Sequence, residues 1–215
     1  MQIRWLGHAC FQITGAGGIT ILTDPPDREV GYPPVDVRAD VVTVSHQHFD
    51  HNAVSLLPGK PQVVQEPGVH QVAGITFRGI STFHDSSGGR QRGKNLVFVF
   101  EVDGLKLCHL GDLGHTLDAV KVEEIGPVDI LMVPVGGYYT IDAAAAKAVV
   151  DALGPRLVLP MHYKTPVMPD ASFPIAPVGD FTRHFARVRE EKVLSVERES
   201  LPPELEVVVL AYPQS

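Results

Sequence analysis

The sequence is poor in cysteine, in basic charge and in long apolar runs. Cys10 and Cys108 are its two thiols, each within an apolar stretch. Two such cysteines argue against a disulfide-stapled scaffold and read as buried thiols in a reducing compartment. No run approaches the ~20 apolar residues that a membrane-spanning helix needs. The opening "MQIRWLGHACFQI" is too short and too interrupted for a secretion signal. The expectation is a cytoplasmic protein with no membrane partner. The formal net charge is −7, so nucleic acid, which needs a basic face, is not an expected partner. No G-x-S-x-G element occurs, which leaves no motif for a nucleophilic serine.

What is present supports a packed core over residues 1–215 as one domain: 44% of residues are hydrophobic and 20% charged. The first half reads as short strands, among them "IRWLG", "CFQIT", "ITILTD", "DVVTVS" and "ITFRGIS". "NLVFVFEVDGLKLCHLGD" reads as a hairpin turning at Asp103-Gly104. The second half alternates. "LDAVKVEEIG" is helical, "DILMVPVGG" a strand, and "TIDAAAAKAVVDALG" a helix capped by Thr140 or Asp142 and stopped at Gly154. "RLVLPMH" is a strand, "VGDFTRHFARVREE" a helix, and "LEVVVL" a last strand. The Pro-rich connector "TPVMPDASFPIAP" is irregular. Strands apolar on both faces need cover on both sides, so the expected class is α/β (α+β), a four-layer sandwich with helices outside two sheets.

Ligand-type residues sit at strand ends. "VVTVS" delivers His46, His48, Asp50 and His51; "ITFRGISTF" delivers His84; "LKLCHLG" delivers Asp112; "RLVLPM" delivers His162. Five imidazoles and two carboxylates are too many for one four-coordinate ion. They suit two ions about 3.5–4 Å apart, bridged by a carboxylate. The donor types fit zinc first, with manganese or iron also accepted.

These residues carry a likeness. With "WLGHACFQI", "ILTDP", "HQHFDH", "TFHDSSGG", "HLGDLGH", "VPVGG" and "PMHY" in order, the chain resembles the metallo-β-lactamase-fold hydrolases, and within them a small lactonase-like branch that includes L-ascorbate-6-phosphate lactonase. The resemblance implies an αββα sandwich with a dinuclear site at its rim. His46, His48 and His84 would hold one ion; Asp50, His51 and His162 the other; Asp112 would bridge. Asp24 stands where the family has a carboxylate behind the metal-binding loop, and a carboxylate there would fix a ligand's tautomer. His8 and His115 are candidates to line the site.

Two divalent ions against two aspartates leave a site of about +2, enough to acidify a bound water. The expected nucleophile is a metal-bound hydroxide, with Asp50 and Asp112 as the catalytic carboxylates. A positive cleft on an acidic chain favours a small anionic substrate. Arg90, Arg92, Lys94, Asn95, Lys164, Tyr138 and Tyr139 could contact it. The leading function is hydrolysis of a small ester, lactone or phosphodiester. The alternatives are a nuclease or cyclic-nucleotide phosphodiesterase on the same scaffold, and a non-enzymatic metal-binding protein. Redox chemistry at a di-iron centre is disfavoured, because the oxygen-reducing relatives carry glutamate where this chain has His48.

Overall fold

The computed structural model describes residues 1–169 and 173–213. Asp170, Ala171 and Ser172 of the Pro-rich connector lie outside the described residues. In chain order the strands are β1 (Gln2–Gly7), β2 (Cys10–Thr14), β3 (Thr20–Thr23), β4 (Val41–Thr43), β5 (Gln62–Val64), β6 (Gly68–Val72), β7 (Ile75–Phe83), β8 (Lys94–Val102), β9 (Leu105–His109), β10 (Ile130–Pro134), β11 (Leu157–Met161), β12 (Val188–Glu191), β13 (Leu194–Ser195) and β14 (Glu206–Leu210). The helices are α1 (Ala119–Ile125), α2 (Ala143–Leu153) and α3 (Gly179–Thr182).

Two sheets form. One has the order β13-β1-β2-β3-β4-β5, the other β12-β14-β11-β10-β9-β8-β7-β6. Ile3, Trp5, Phe11, Ile13 and Ile21 of the first sheet share a core with Phe77, Phe98, Leu107 and Met132 of the second. Alternation in the first sheet turns Leu6, Cys10, Leu22 and Val42 to its other face. There Val35, Val37 and Val54 pack on them from an extended segment and a short 3-10 turn, Ala53–Leu56. Beyond the second sheet, α2 buries Ala146, Val149, Val150 and Leu153 and packs on β10. The layered α/β sandwich is therefore as expected, with the outer layer of the first sheet thinned to a turn and loop.

Local chemistry accounts for the element ends. Asp103 and Gly104 both take positive φ, 53° and 74°, as a type I′ hairpin turn requires. The Asp142 side chain accepts from the N–H of Ala145 and starts α2; Gly154, at φ 58°, ends it. One expectation fails. The helix anticipated over 178–191 stops at Thr182, and Val188–Glu191 is a strand paired in parallel with β14. Arg189 reaches Glu206 of β14 at 3.0 Å and Glu191 at 2.7 Å. Sheet pairing overrides a modest helix propensity there.

The parallel register fixes where the site lies. β4 pairs in parallel with β3, β9 with β10, and β10 with β11. Their C-terminal ends, where ligand sites form in such sheets, lead into His46, Asp112 and His162.

Candidate metal centre

All seven predicted ligands converge. Asp112 Oδ2 lies 3.0 Å from His84 Nε2, 3.2 Å from His51 Nε2, 3.3 Å from His162 Nε2 and 3.9 Å from His46 Nε2. Possible donor atoms gather in three overlapping groups: His46, His48 and His84; His8, Asp50, His51 and His162; and Asp24, His46 and His51, which joins the first two. His8 was a lining candidate in the sequence; the structure sets its Nε2 3.0 Å from Asp50 Oδ2.

Asp24 lies behind two of the candidate ligands. Its Oδ2 accepts the Nδ1–H of His51 at 2.8 Å and the hydroxyl of Ser45, while its Oδ1 accepts the Ser45 N–H at 2.7 Å. His46 Nδ1 in turn donates to the Ser45 oxygen at 2.9 Å. One buried carboxylate thereby fixes the orientation of two imidazole rings, and both turn Nε2 to the cluster.

The site backbone is held in unusual conformations. His8, Asp24 and His162 have φ of 54°, 37° and 53°, a left-handed region costly for residues with a Cβ and concentrated at functional sites. The His8 carbonyl accepts from Trp5 Nε1 at 2.9 Å and from the His162 N–H at 3.0 Å, tying both sheets to this turn. A Cβ on Gly114 would collide with the His84 backbone, and one on Gly136 with the His162 carbonyl.

The electrostatics follow from burial. Burial pushes His46 down to about 3 and His8 down to about 4, so both are neutral and able to act as donors of electron pairs. Burial opposes the ionised form of Asp112, but His162 and His51 overrule it and hold the carboxyl well below its usual range. Asp50 is lowered in the same way, against its own burial, by the charge of His51 and the hydrogen bond from His8.

These residues fit a cation on a structural criterion. Among the described residues, the buried side-chain atoms without a hydrogen-bond partner are Thr43 Oγ1, His8 Nδ1, His51 Nε2, His84 Nδ1, Asp112 Oδ1 and both ring nitrogens of His162. All but the threonine belong to this cluster. Buried polar atoms are normally satisfied, and divalent cations would engage the nitrogens and the carboxylate oxygen that face the centre.

A cleft of about 570 Å³ opens onto the centre. His48, Asp50, His84 and Asp112 form its floor; Gln47, Phe49, Arg92, Tyr139 and Phe173 form its walls. The other substrate candidates lie elsewhere. Asn95 is fully buried; its amide donates to Thr82 Oγ1 and the Leu110 carbonyl, and its Oδ1 accepts the Asp112 N–H at 2.9 Å. It positions the Asp112 loop. Lys164 Nζ donates to the carbonyls of Met168 and Pro169 at 3.1 and 3.2 Å and holds the connector. His115 Nε2 accepts the Phe83 N–H at 3.3 Å, outside the cleft lining. Arg90, Lys94 and Tyr138 are exposed and do not line it either.

Three contributors escaped the sequence reading. Asp85 accepts four backbone N–H groups, from Ser87, Gly89, Gln91 and Arg92. His109 donates from Nε2 to the Ala9 carbonyl at 2.9 Å and accepts the Gly111 N–H at 3.2 Å, so it joins the His8 turn to the Asp112 loop. Phe173 packs edge-on to His8 at 5.7 Å. Asp85 in "HDSSGGRQRG" carried a signal, an aspartate heading a Gly- and Ser-rich turn; the other two depend on tertiary contact.

Comparison with known proteins shows the family. The family profile described as "Beta-lactamase superfamily domain" matches residues 2–162. The chain belongs to the metallo-β-lactamase superfamily. A superfamily relative from Thermotoga maritima, described as a Zn-dependent hydrolase, is 45% identical, with 97% of each chain covered and a TM-score of 0.82. A metal-dependent hydrolase of Thermococcus onnurineus is 31% identical over 193 residues, 77% of this chain and 85% of its own length. Human tRNase Z, short form, shares this superfamily fold at 11% identity and a TM-score of 0.56, with 77% of this chain and 93% of that chain covered.

Proposed function

We propose that this chain is a dinuclear metal-dependent hydrolase of a small ester, lactone or phosphodiester. The observation that carries the reading is the position of Asp112 Oδ2, 3.0–3.3 Å from three imidazole nitrogens on separate segments. A lone carboxylate oxygen so placed, between two groups of donors, is suited to lie between two cations. His46, His48 and His84 would hold one; Asp50, His51 and His162 the other. Zinc is the first choice, with manganese or iron accepted by the same donors.

When bound, the cations supply Lewis acidity, which acidifies water and polarises the oxygen under attack. The rest of the chemistry belongs to the chain. Asp50, kept ionised and facing the cleft, accepts a hydrogen bond from the attacking water and orients it. The His8 N–H holds Asp50 Oδ2 at 3.0 Å, which sets the direction of that carboxylate. Asp24 keeps His46 and His51 in the tautomer that presents Nε2. Phe49, Tyr139 and Phe173 line the cleft with apolar surface beside that floor.

The test is elemental analysis of the purified protein, then turnover on a panel of lactones, esters, bis-phosphodiesters and short RNA after reloading with zinc, manganese or iron. About two equivalents of metal and turnover of a small substrate are expected. Cleavage of RNA alone would move the assignment to a nuclease. Two equivalents of metal with no turnover on any arm would leave a metal-binding protein.

A further inference from the structure

One cation faces the proposed catalytic cleft: Arg92 lines it, and no other Arg or Lys does among the described residues. The remaining basic side chains nearby are spent or exposed. Arg78 donates to the carbonyls of Glu124 and Ile125, and Lys164 is engaged by the connector. Arg92 has no carboxylate partner among the described residues. Its guanidinium carbon instead lies 5.5 Å from the centroid of the Tyr139 ring, a cation–π contact that leaves its edge N–H groups available.

The segment that carries it is built for placement. Asp85 Oδ1 accepts the N–H groups of Ser87 and Gly89 at 2.7 and 3.0 Å, and Oδ2 those of Gln91 and Arg92 at 3.0 and 2.8 Å. Gly93 closes the loop, with its N–H on the Gly89 carbonyl at 3.0 Å and its carbonyl on the His84 N–H at 3.1 Å. The arginine backbone is thus fixed directly to the strand end that delivers His84. A preorganised cation of this kind binds an anion with little ordering cost.

Two further walls are aromatic: Phe49 is half exposed, and Phe173, 4% exposed, belongs to the apolar cluster against which Tyr139 packs. A ligand in contact with these rings and Arg92 would present a flat or apolar body to the rings and an anionic group to the guanidinium. We propose that Arg92, stacked on Tyr139, is an anion subsite that selects substrates carrying a non-reacting carboxylate or phosphate on an apolar body. The proposal rests on the hydrolase reading for the word substrate; the binding site itself does not.

Calorimetry on the metal-loaded protein tests it, with benzoate, phenylphosphonate and neutral benzamide as probes against wild type, Arg92→Gln and Arg92→Lys. Loss of a charge-assisted contact in Arg92→Gln weakens the preferred anion by about tenfold or more relative to benzamide, and Arg92→Lys recovers part of it. The tighter of the two anions tells carboxylate from phosphate. Anion binding equal in wild type and Arg92→Gln overturns the proposal, since the anion then sits elsewhere. Equal weakening of benzamide and anions overturns it too, as does loss of metal from Arg92→Gln, which would make Arg92 a support of the metal loop. Turnover is scored separately. Arg92-dependent anion binding by a protein that hydrolyses no panel substrate removes the hydrolase reading and supports the subsite.

Discussion

Asp24 and His51 form a wholly buried pair, Oδ2 to Nδ1 at 2.8 Å, with the opposite ring nitrogen turned to the cluster. The same carboxylate reaches His46 through Ser45. Asp24→Asn keeps the shape, removes the charge and breaks the arrangement of donors. Loss of such a partner costs about 10–100-fold in cation affinity. Chelator competition on the folded variant measures it, and wild-type affinity in Asp24→Asn would remove the tautomer-fixing role.

Asp112 and His48 differ in how many donor groups they touch. His48 belongs to one group, whereas Asp112 Oδ2 faces imidazoles of more than one. His48→Ala is expected to keep the fold, lose one metal equivalent and abolish turnover. Asp112→Ala is expected to hold neither ion tightly. Elemental analysis after dialysis compares them. Two tightly held equivalents in Asp112→Ala would show that the carboxylate does not bridge.

Acid destabilises the metal-free protein over a defined window. His46 and His8 are lowered by burial to about 3 and about 4 from an ordinary value of 6.5. Between those limits the unfolded chain binds protons that the folded chain refuses, so the share of stability due to these two is complete above pH 6.5 and is lost as pH falls. His51 is raised, held up by Asp112 and Asp50 against its burial, so its share runs the other way: it is complete below pH 6.5 and is lost as pH rises above it. Urea midpoints of chelator-treated protein are expected to drop from pH 6.5 to pH 5, where the His51 share is constant. A His8→Gln variant should show a smaller drop, and an equal one would exclude His8 as a contributor.

Gly114 is needed for space rather than for conformational freedom. A methyl group there meets the His84 backbone and the Asp85 amide. Overpacking of this kind costs about 1–3 kcal/mol, and the displaced atoms carry a proposed ligand. Gly114→Ala is expected to lower the melting temperature by several degrees and to weaken metal binding. Gly17→Ala, where a Cβ meets nothing within 4 Å, is the control. Matching melting temperatures for the two variants would show that the His84 strand end has room to move.

The convergence of the candidate donors was legible because each follows a strand whose apolar run is readable, and strand ends are delivered to one rim. Asp24 was legible through its place in "LTDP". What the loops do was not. Asn95 and Lys164 are polar residues near ligands in sequence, yet both are spent on backbone groups. His109 looks like any strand histidine until the first sheet packs over it. The Val188–Glu191 strand has no apolar alternation, with every residue at least partly exposed, and only its partner β14 makes it a strand.

The centre draws its side chains from both leaves of the sandwich. His8, Asp24 and the His46–His51 segment follow strands of the first sheet; His84, Asp112 and His162 follow strands of the second. Cations held across that seam, as proposed, would act as rivets. Stripping them would loosen the two leaves at one end while the hydrophobic interior still clasps the other, so amide exchange after chelation is expected to quicken at the rim on both sides together.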